Sequence, residues 1–134
     1  MGVKMQKDLW ESIEFFKYQE FNSPDHDRSG MLMNYEFMCI LDNIRRQHGK
    51  PIRINSGYRT KEHNDHLIKS GAKASPGSSH MKGLAVDIKC NDDKERFELV
   101  NLALAHGINR IGVAKTFIHL DVDKEKNQNR IWIY

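Results

Sequence analysis

The chain has 134 residues, 39% of them hydrophobic, which suits one domain able to bury a core without disulfide or metal staples. Its formal net charge of +3 comes from 21 basic and 18 acidic residues mixed along the chain, so no arm or stripe forms the electrostatic footprint of a nucleic-acid binder. Two isolated cysteines, Cys39 and Cys90, exclude a disulfide framework or a C-x-x-C metal site and are expected to be reduced.

The segment from Met1 to Glu11 lacks the uninterrupted apolar stretch of a secretory signal, and no later stretch approaches a membrane span. Cytosolic synthesis is therefore expected, with any target outside the cell reached by release or another export route. Phe15, Phe16, Tyr18 and Phe21 form either a strand or a packed aromatic coil, and Ser23-Pro24-Asp25 marks a turn. From Met33 to Gln47 the residues Met33, Phe37, Ile40, Leu41 and Ile44 recur at helical spacing, and His48-Gly49-Lys50-Pro51 supplies the stop. Ile52 to Ser56 alternates as a strand does, and a short helix follows Thr60 and ends before Gly71. Ala72 to Ser79 reads as an ordered loop, and Leu84 to Lys89 as a core strand. Asn91-Asp92-Asp93 caps a helix expected to carry Phe97, Val100 and Leu104 on one face, with a stop at His106-Gly107. Ile108 to Val113, Phe117 to Val122 and Ile131 to Tyr134 read as strands, the last two separated by a polar turn from Asp123 to Asn129. Strands and helices mix without a βαβ repeat, so the expected fold is α+β with a small, mainly antiparallel sheet in a single domain spanning 1–134.

Two segments carry the chemistry. In Ser78-Ser79-His80-Met81-Lys82-Gly83-Leu84-Ala85-Val86-Asp87, the His and Asp stand seven residues apart across a glycine, so they cannot be same-face neighbours on one short helix as in H-E-x-x-H. A turn from loop to strand brings them together instead. If the strand Phe117-Ile118-His119-Leu120-Asp121 pairs beside the one carrying Asp87, His80, Asp87 and His119 converge on one zinc ion with a fourth position open. Taken singly, a loop His is ordinarily a hydrogen-bonded surface residue and a strand Asp ordinarily caps or pairs. His26, His48, His63, His66 and His106 illustrate that background. What separates the chosen three is their position beside apolar strands, where a polar side chain requires a partner. A metallohydrolase is the leading reading.

Ser78, His80, Gly83, Ala85 and Asp87 fill every fixed position of S-x-H-x-x-G-x-A-x-D. Together with Ser56-Gly57-Tyr58-Arg59 and Phe117-Ile118-His119-Leu120-Asp121, they make the chain resemble the zinc D-Ala-D-Ala carboxypeptidases and related phage and bacterial peptidoglycan peptidases. This is the group that also contains lysostaphin-type enzymes and the hedgehog domain. Glu20 to Asp25 resembles the opening of small phage-type members, so the likeness runs from about Phe16 to Tyr134. The resemblance implies a hedgehog/D-Ala-D-Ala peptidase-like α+β fold whose small sheet floors a groove, with His80, Asp87 and His119 as ligands of Zn2+. It also implies that Arg59 receives a carboxylate of a peptide stem, a task for which a planar guanidinium fork is suited. Ser78 either binds substrate backbone or caps the turn before His80.

Many relatives place an acid or His three positions before the last ligand, where this chain has Thr116, a residue that takes no proton at neutral pH. Asp121, two residues after His119 and so on the same strand face, is the expected substitute as general base, with orientation of the imidazole as its alternative role. Asp123 shares that parity but lies nearer the turn. The expected function is hydrolysis of an amide in cell-wall stem or cross-link peptides, as a D-Ala-D-Ala carboxypeptidase or an endopeptidase, in the manner of a phage endolysin. The expected partner is a peptidoglycan peptide, without nucleic acid, membrane or an obligate protein partner, reached after release from the cytoplasm or as a virion component. The alternative is a non-catalytic zinc module that binds cell wall or a protein.

Overall fold

The computed structural model describes residues 8–72 and 74–134. Most of the stretch read for a targeting signal, and Lys73 of the loop before Ser79, lie outside the described residues. Helix α1 (Tyr35–His48) starts where the Asn34 side chain accepts from the Phe37 amide, and it stops at Gly49 in a left-handed conformation. Helix α2 (Lys61–Lys69) is capped by Thr60, and α3 (Asp93–Ala105) by Asp92, which accepts from the Glu95 amide. No helix among the described residues is long and apolar enough to cross a membrane. Before α1 the chain forms short 3-10 turns at Tyr18–Phe21 and Ser29–Leu32. The aromatic segment is thus the packed coil and not a strand, with Phe16 against Phe21 at 5.5 Å and Trp10 against Phe21 at 5.7 Å between ring centroids.

Five strands, β1 (Ile54–Ser56), β2 (Ala85–Lys89), β3 (Arg110–Val113), β4 (Phe117–Asp121) and β5 (Arg130–Ile133), form one sheet in the order β1-β2-β4-β3-β5. All pairings are antiparallel except β3 with β5, so the fold is α+β with a mainly antiparallel sheet, as expected. Period-two alternation sends Val86, Ile88, Ile111, Ile118 and Leu120 into a core shared with Phe37, Leu41 and Ile44 of α1 and Leu99 of α3. The opposite face carries Asp87, His119 and Gly112, which are cross-strand partners on β2, β4 and β3. Ser56 pairs with Asp87 on one side and Trp132 with Gly112 on the other, so a single row crosses all five strands.

The apolar face read on α3 is not the one that packs on the core. Phe97 is 72% and Leu104 49% exposed, whereas Leu99 and Ala103 are buried and Val100 is partly so. Phe-Glu-Leu-Val-Asn-Leu-Ala-Leu-Ala is apolar nearly all the way round, so periodicity alone does not choose a face. The choice falls to the Asp92 cap and to Arg96, which donates to the Lys115 carbonyl at 2.7 Å and thereby sets the roll of the helix against the sheet.

Candidate metal centre

His80 sits in a 3-10 turn, Ser79–Lys82, whose first amides are capped by Ser78 and which ends at Gly83 with φ 71°. A Cβ on Gly83 would also lie 2.4 Å from the Leu32 carbonyl, so both the backbone turn and the close approach require glycine. Ser78 Oγ accepts from the His80 amide at 3.2 Å, so of its two readings the structure displays the capping role. Ser79 donates to Asp123 at 2.7 Å and Lys82 reaches the same carboxylate at 3.0 Å, tying the loop to the end of β4. Asp123 is 1% exposed and committed to that tie, which removes it as a candidate base.

His80 Nδ1 lies 2.8 Å from the Gly57 carbonyl. A carbonyl only accepts, so Nδ1 carries the hydrogen and Nε2 presents a lone pair, 3.3 Å from Asp87 Oδ1. On the other side of that oxygen, at 3.0 Å, stands His119 Nδ1. His119 Nε2 is taken by Asp121 Oδ2 at 2.7 Å. One donor atom from each of His80, Asp87 and His119 lies within 4.8 Å of the other two.

Burial holds His80 below the ordinary imidazole pKa, its Asp87 contact opposing only in part, so the ring is neutral at pH 7. Burial would raise the Asp87 pKa, but the neighbouring His119 and His80 rings outweigh it and hold the carboxyl below its ordinary range. Burial likewise opposes protonation of His119, yet Asp121 and Asp87 together raise its pKa. A neutral imidazole lone pair facing a carboxylate oxygen, with a second imidazole beside them, is repulsive unless a cation sits among the three. The donor set of two imidazoles and one carboxylate therefore fits a divalent metal, and zinc in particular.

Two of the expected site residues, Arg59 and Asp121, have partners within the protein. Arg59 is buried, and its guanidinium donates to Ser56 Oγ at 3.2 Å, Asn64 Oδ1 at 3.3 Å and Asp87 Oδ2 at 3.4 Å. Each of its three nitrogens makes one contact within the protein, so it orients Asp87 while it also lines the cavity. Asp121 shares a strand face with His119 as parity predicts, but it lies at the ring nitrogen directed away from Asp87 and also accepts from Arg110 Nε at 2.7 Å. In this arrangement its carboxylate fixes the His119 tautomer, the contact expected of its orienting role. Thr116 is exposed in the β3–β4 turn and is not part of the cavity lining.

An open cavity of about 360 Å³ stands over the three donors, walled by Arg59, Ser78, Arg110, Lys126, Trp132 and Tyr134 among others. Trp132 leans on His119 at 5.5 Å between centroids, with the Arg110 guanidinium 5.0 Å above its own ring. Sequence reading gave no role to Arg110, Lys126, Trp132 or Tyr134. The available signal was Gly112, an isolated glycine inside a strand, which marks a close approach. A Cβ there would stand 2.6 Å from Trp132 Nε1 and from Tyr134 Cε2. Gly112→Ala is expected to cost about 1–3 kcal/mol by overpacking and to push Trp132 off His119. Denaturant unfolding together with the tryptophan emission maximum measures both effects, and an unchanged midpoint would contradict the packing argument.

A family model described as Peptidase M15 matches residues 14–121. Among solved structures, a crystal structure of Serratia marcescens L-Ala D-Glu endopeptidase ChiX resembles the chain with a TM-score of 0.55 at 14% identity, covering 70% of this chain and 83% of that one. No curated protein matches the sequence. The family match extends from Glu14 through all three candidate metal-ligating side chains to Asp121, well over half of the chain, so the chain belongs to the Peptidase M15 family.

Proposed function

We propose that this peptidase is a zinc-dependent peptidoglycan peptidase that hydrolyses an amide in the stem or cross-link peptides of the cell wall. The observation that carries the reading is the convergence of His80 Nε2, Asp87 Oδ1 and His119 Nδ1 beneath an open cavity. His80, Asp87 and His119 would hold the zinc ion, which would supply a Lewis acid toward the scissile carbonyl. The chain's own residues supply the rest. Gly57 and Asp121 hold the two imidazoles in ligating tautomers, Arg59 fixes the far oxygen of Asp87, and Trp132 shields one side of His119 from water. Family membership and the endopeptidase named for the structural neighbour support a cell-wall peptide as substrate, and residues 1–134 act as one domain on this reading. The wall is reached after release from the cytoplasm or from a virion.

One observation favours a second reading, a zinc module that binds wall or protein without turnover. Among the described cavity-lining residues the carboxylates are Asp87 and Asp121, and both are bonded to imidazoles, so neither is free to take a proton from water. The deciding experiment incubates zinc-loaded protein with purified peptidoglycan and follows released peptides by mass spectrometry beside His80→Ala. Peptides from the wild type and none from the variant are expected. Stoichiometric zinc without product would move the assignment to the second reading.

A further inference from the structure

Three cations line the cavity, and two of them are built into its frame: Arg59 holds Ser56, Asn64 and Asp87, and Arg110 holds Asp121 and the Asn127 carbonyl. Lys126 is different. No hydrogen bond or ion pair among the described residues engages its ammonium group, although it is half-buried at the cavity wall. Its neighbours in the same polar loop behave as solvated charges do, Lys124 exposed and Glu125 exposed and paired with Lys82 at 2.9 Å.

The backbone that presents Lys126 is held in place. Gln128 Nε2 donates to the carbonyls of Asp123 at 2.9 Å and of Lys126 at 2.7 Å, and the Lys126 amide returns to the Asp123 carbonyl at 3.3 Å. A pinned loop therefore presents a lysine at a cavity whose two guanidinium groups already pair with carboxylates, Arg59 with Asp87 at 3.4 Å and Arg110 with Asp121 at 2.7 Å. Lys126 is thus the cation of this wall without a carboxylate partner among the described residues, and its charge attracts an anion that enters the cavity. An ammonium on a flexible stem suits a carboxylate whose position is set by binding elsewhere, since it imposes no fork geometry.

We infer that Lys126 is a specificity residue that pairs with a free carboxylate of the peptide, so that the substrate is an acidic stem peptide and its amidated form is disfavoured. The inference rests on the proposed peptidase reading for the meaning of the cavity, and its test separates the two. Two synthetic stem peptides, identical except that the D-Glu carboxylate is free in one and a carboxamide in the other, are compared on wild type, Lys126→Gln and Lys126→Arg. In the wild type kcat/KM is expected to favour the acidic peptide by roughly 10-fold, as a partly desolvated charge-assisted hydrogen bond provides, with the difference carried by KM. In Lys126→Gln that ratio falls toward unity while zinc content stays stoichiometric, and Lys126→Arg restores part of it. An unaltered ratio in Lys126→Gln, or an equal loss on both peptides, would overturn the inference. If the wild type cleaves neither peptide, the peptidase reading fails and calorimetric binding decides on Lys126 alone. Preferential binding of the acidic peptide that Lys126→Gln abolishes supports the inference, and absent or indifferent binding overturns it.

Discussion

Asp87→Ala is expected to yield a protein that holds no stoichiometric zinc and releases no peptide from the wall. Its Oδ1 is the atom both imidazole nitrogens face, at 3.3 and 3.0 Å, and it supplies the only negative charge in the donor set. Loss of an outer partner of a ligand typically lowers metal affinity by roughly 10–100-fold, and loss of the anionic ligand itself exceeds that. A second cost falls on the metal-free fold. Arg59 is 7% exposed and would lose the carboxylate 3.4 Å from its guanidinium, which leaves a buried charge uncompensated at a cost of about 3 kcal/mol. Competition with a chromophoric chelator reads the first effect, and thermal unfolding in the presence of chelator reads the second. Retention of one tightly bound zinc per chain by the variant would remove Asp87 from the metal centre.

Asp121→Asn separates two roles for a carboxylate that sequence parity leaves equivalent. The carboxylate accepts from His119 Nε2 at 2.7 Å and thereby turns the lone pair at Nδ1 toward Asp87. An asparagine amide presents either its oxygen or its NH2 to that nitrogen, so the ligating tautomer is no longer imposed. Zinc affinity is expected to fall by roughly 10–100-fold, and kcat measured at saturating zinc is expected to recover most of its value. A base would give the opposite pattern, an intact affinity with a collapsed kcat. Zinc-dependent turnover curves for the two proteins decide between these outcomes, and nitrogen NMR of the His119 ring reports the tautomer directly.

How much of this was legible in the sequence depends on the range of the interaction involved. The caps at Asn34, Thr60 and Asp92 are local, and the helices they open lie where spacing and capping place them. The loop-to-strand turn through Gly83 and the adjacency of β2 with β4 follow from a motif and from alternation, and they bring His80, Asp87 and His119 together in space. Strand parity put Asp121 beside His119, but parity carries no information on which ring nitrogen a carboxylate meets. Arg59 had a recognisable setting, yet its partners Ser56, Asn64 and Asp87 come from three elements, a conjunction visible only after the sheet has formed. Trp132 and Lys126 were hidden for a related reason. Their places depend on β5 running parallel to β3 after a polar turn, and periodicity does not state direction or neighbour. On α3 an almost wholly apolar sequence offered two faces, and a distant contact from Arg96 to Lys115 chose between them.

The line of residues Ser56, Asp87, His119, Gly112 and Trp132, one from each strand, ties assembly of the centre to correct strand alignment. Sliding β4 by a single position would bury His119 under α1 and α3 and expose Ile118 or Leu120 where the imidazole belongs. Mispaired chains would thus lack the ion as well as the packing, and capture of zinc would arrive as a late event that rewards only molecules whose strands have already found their proper partners.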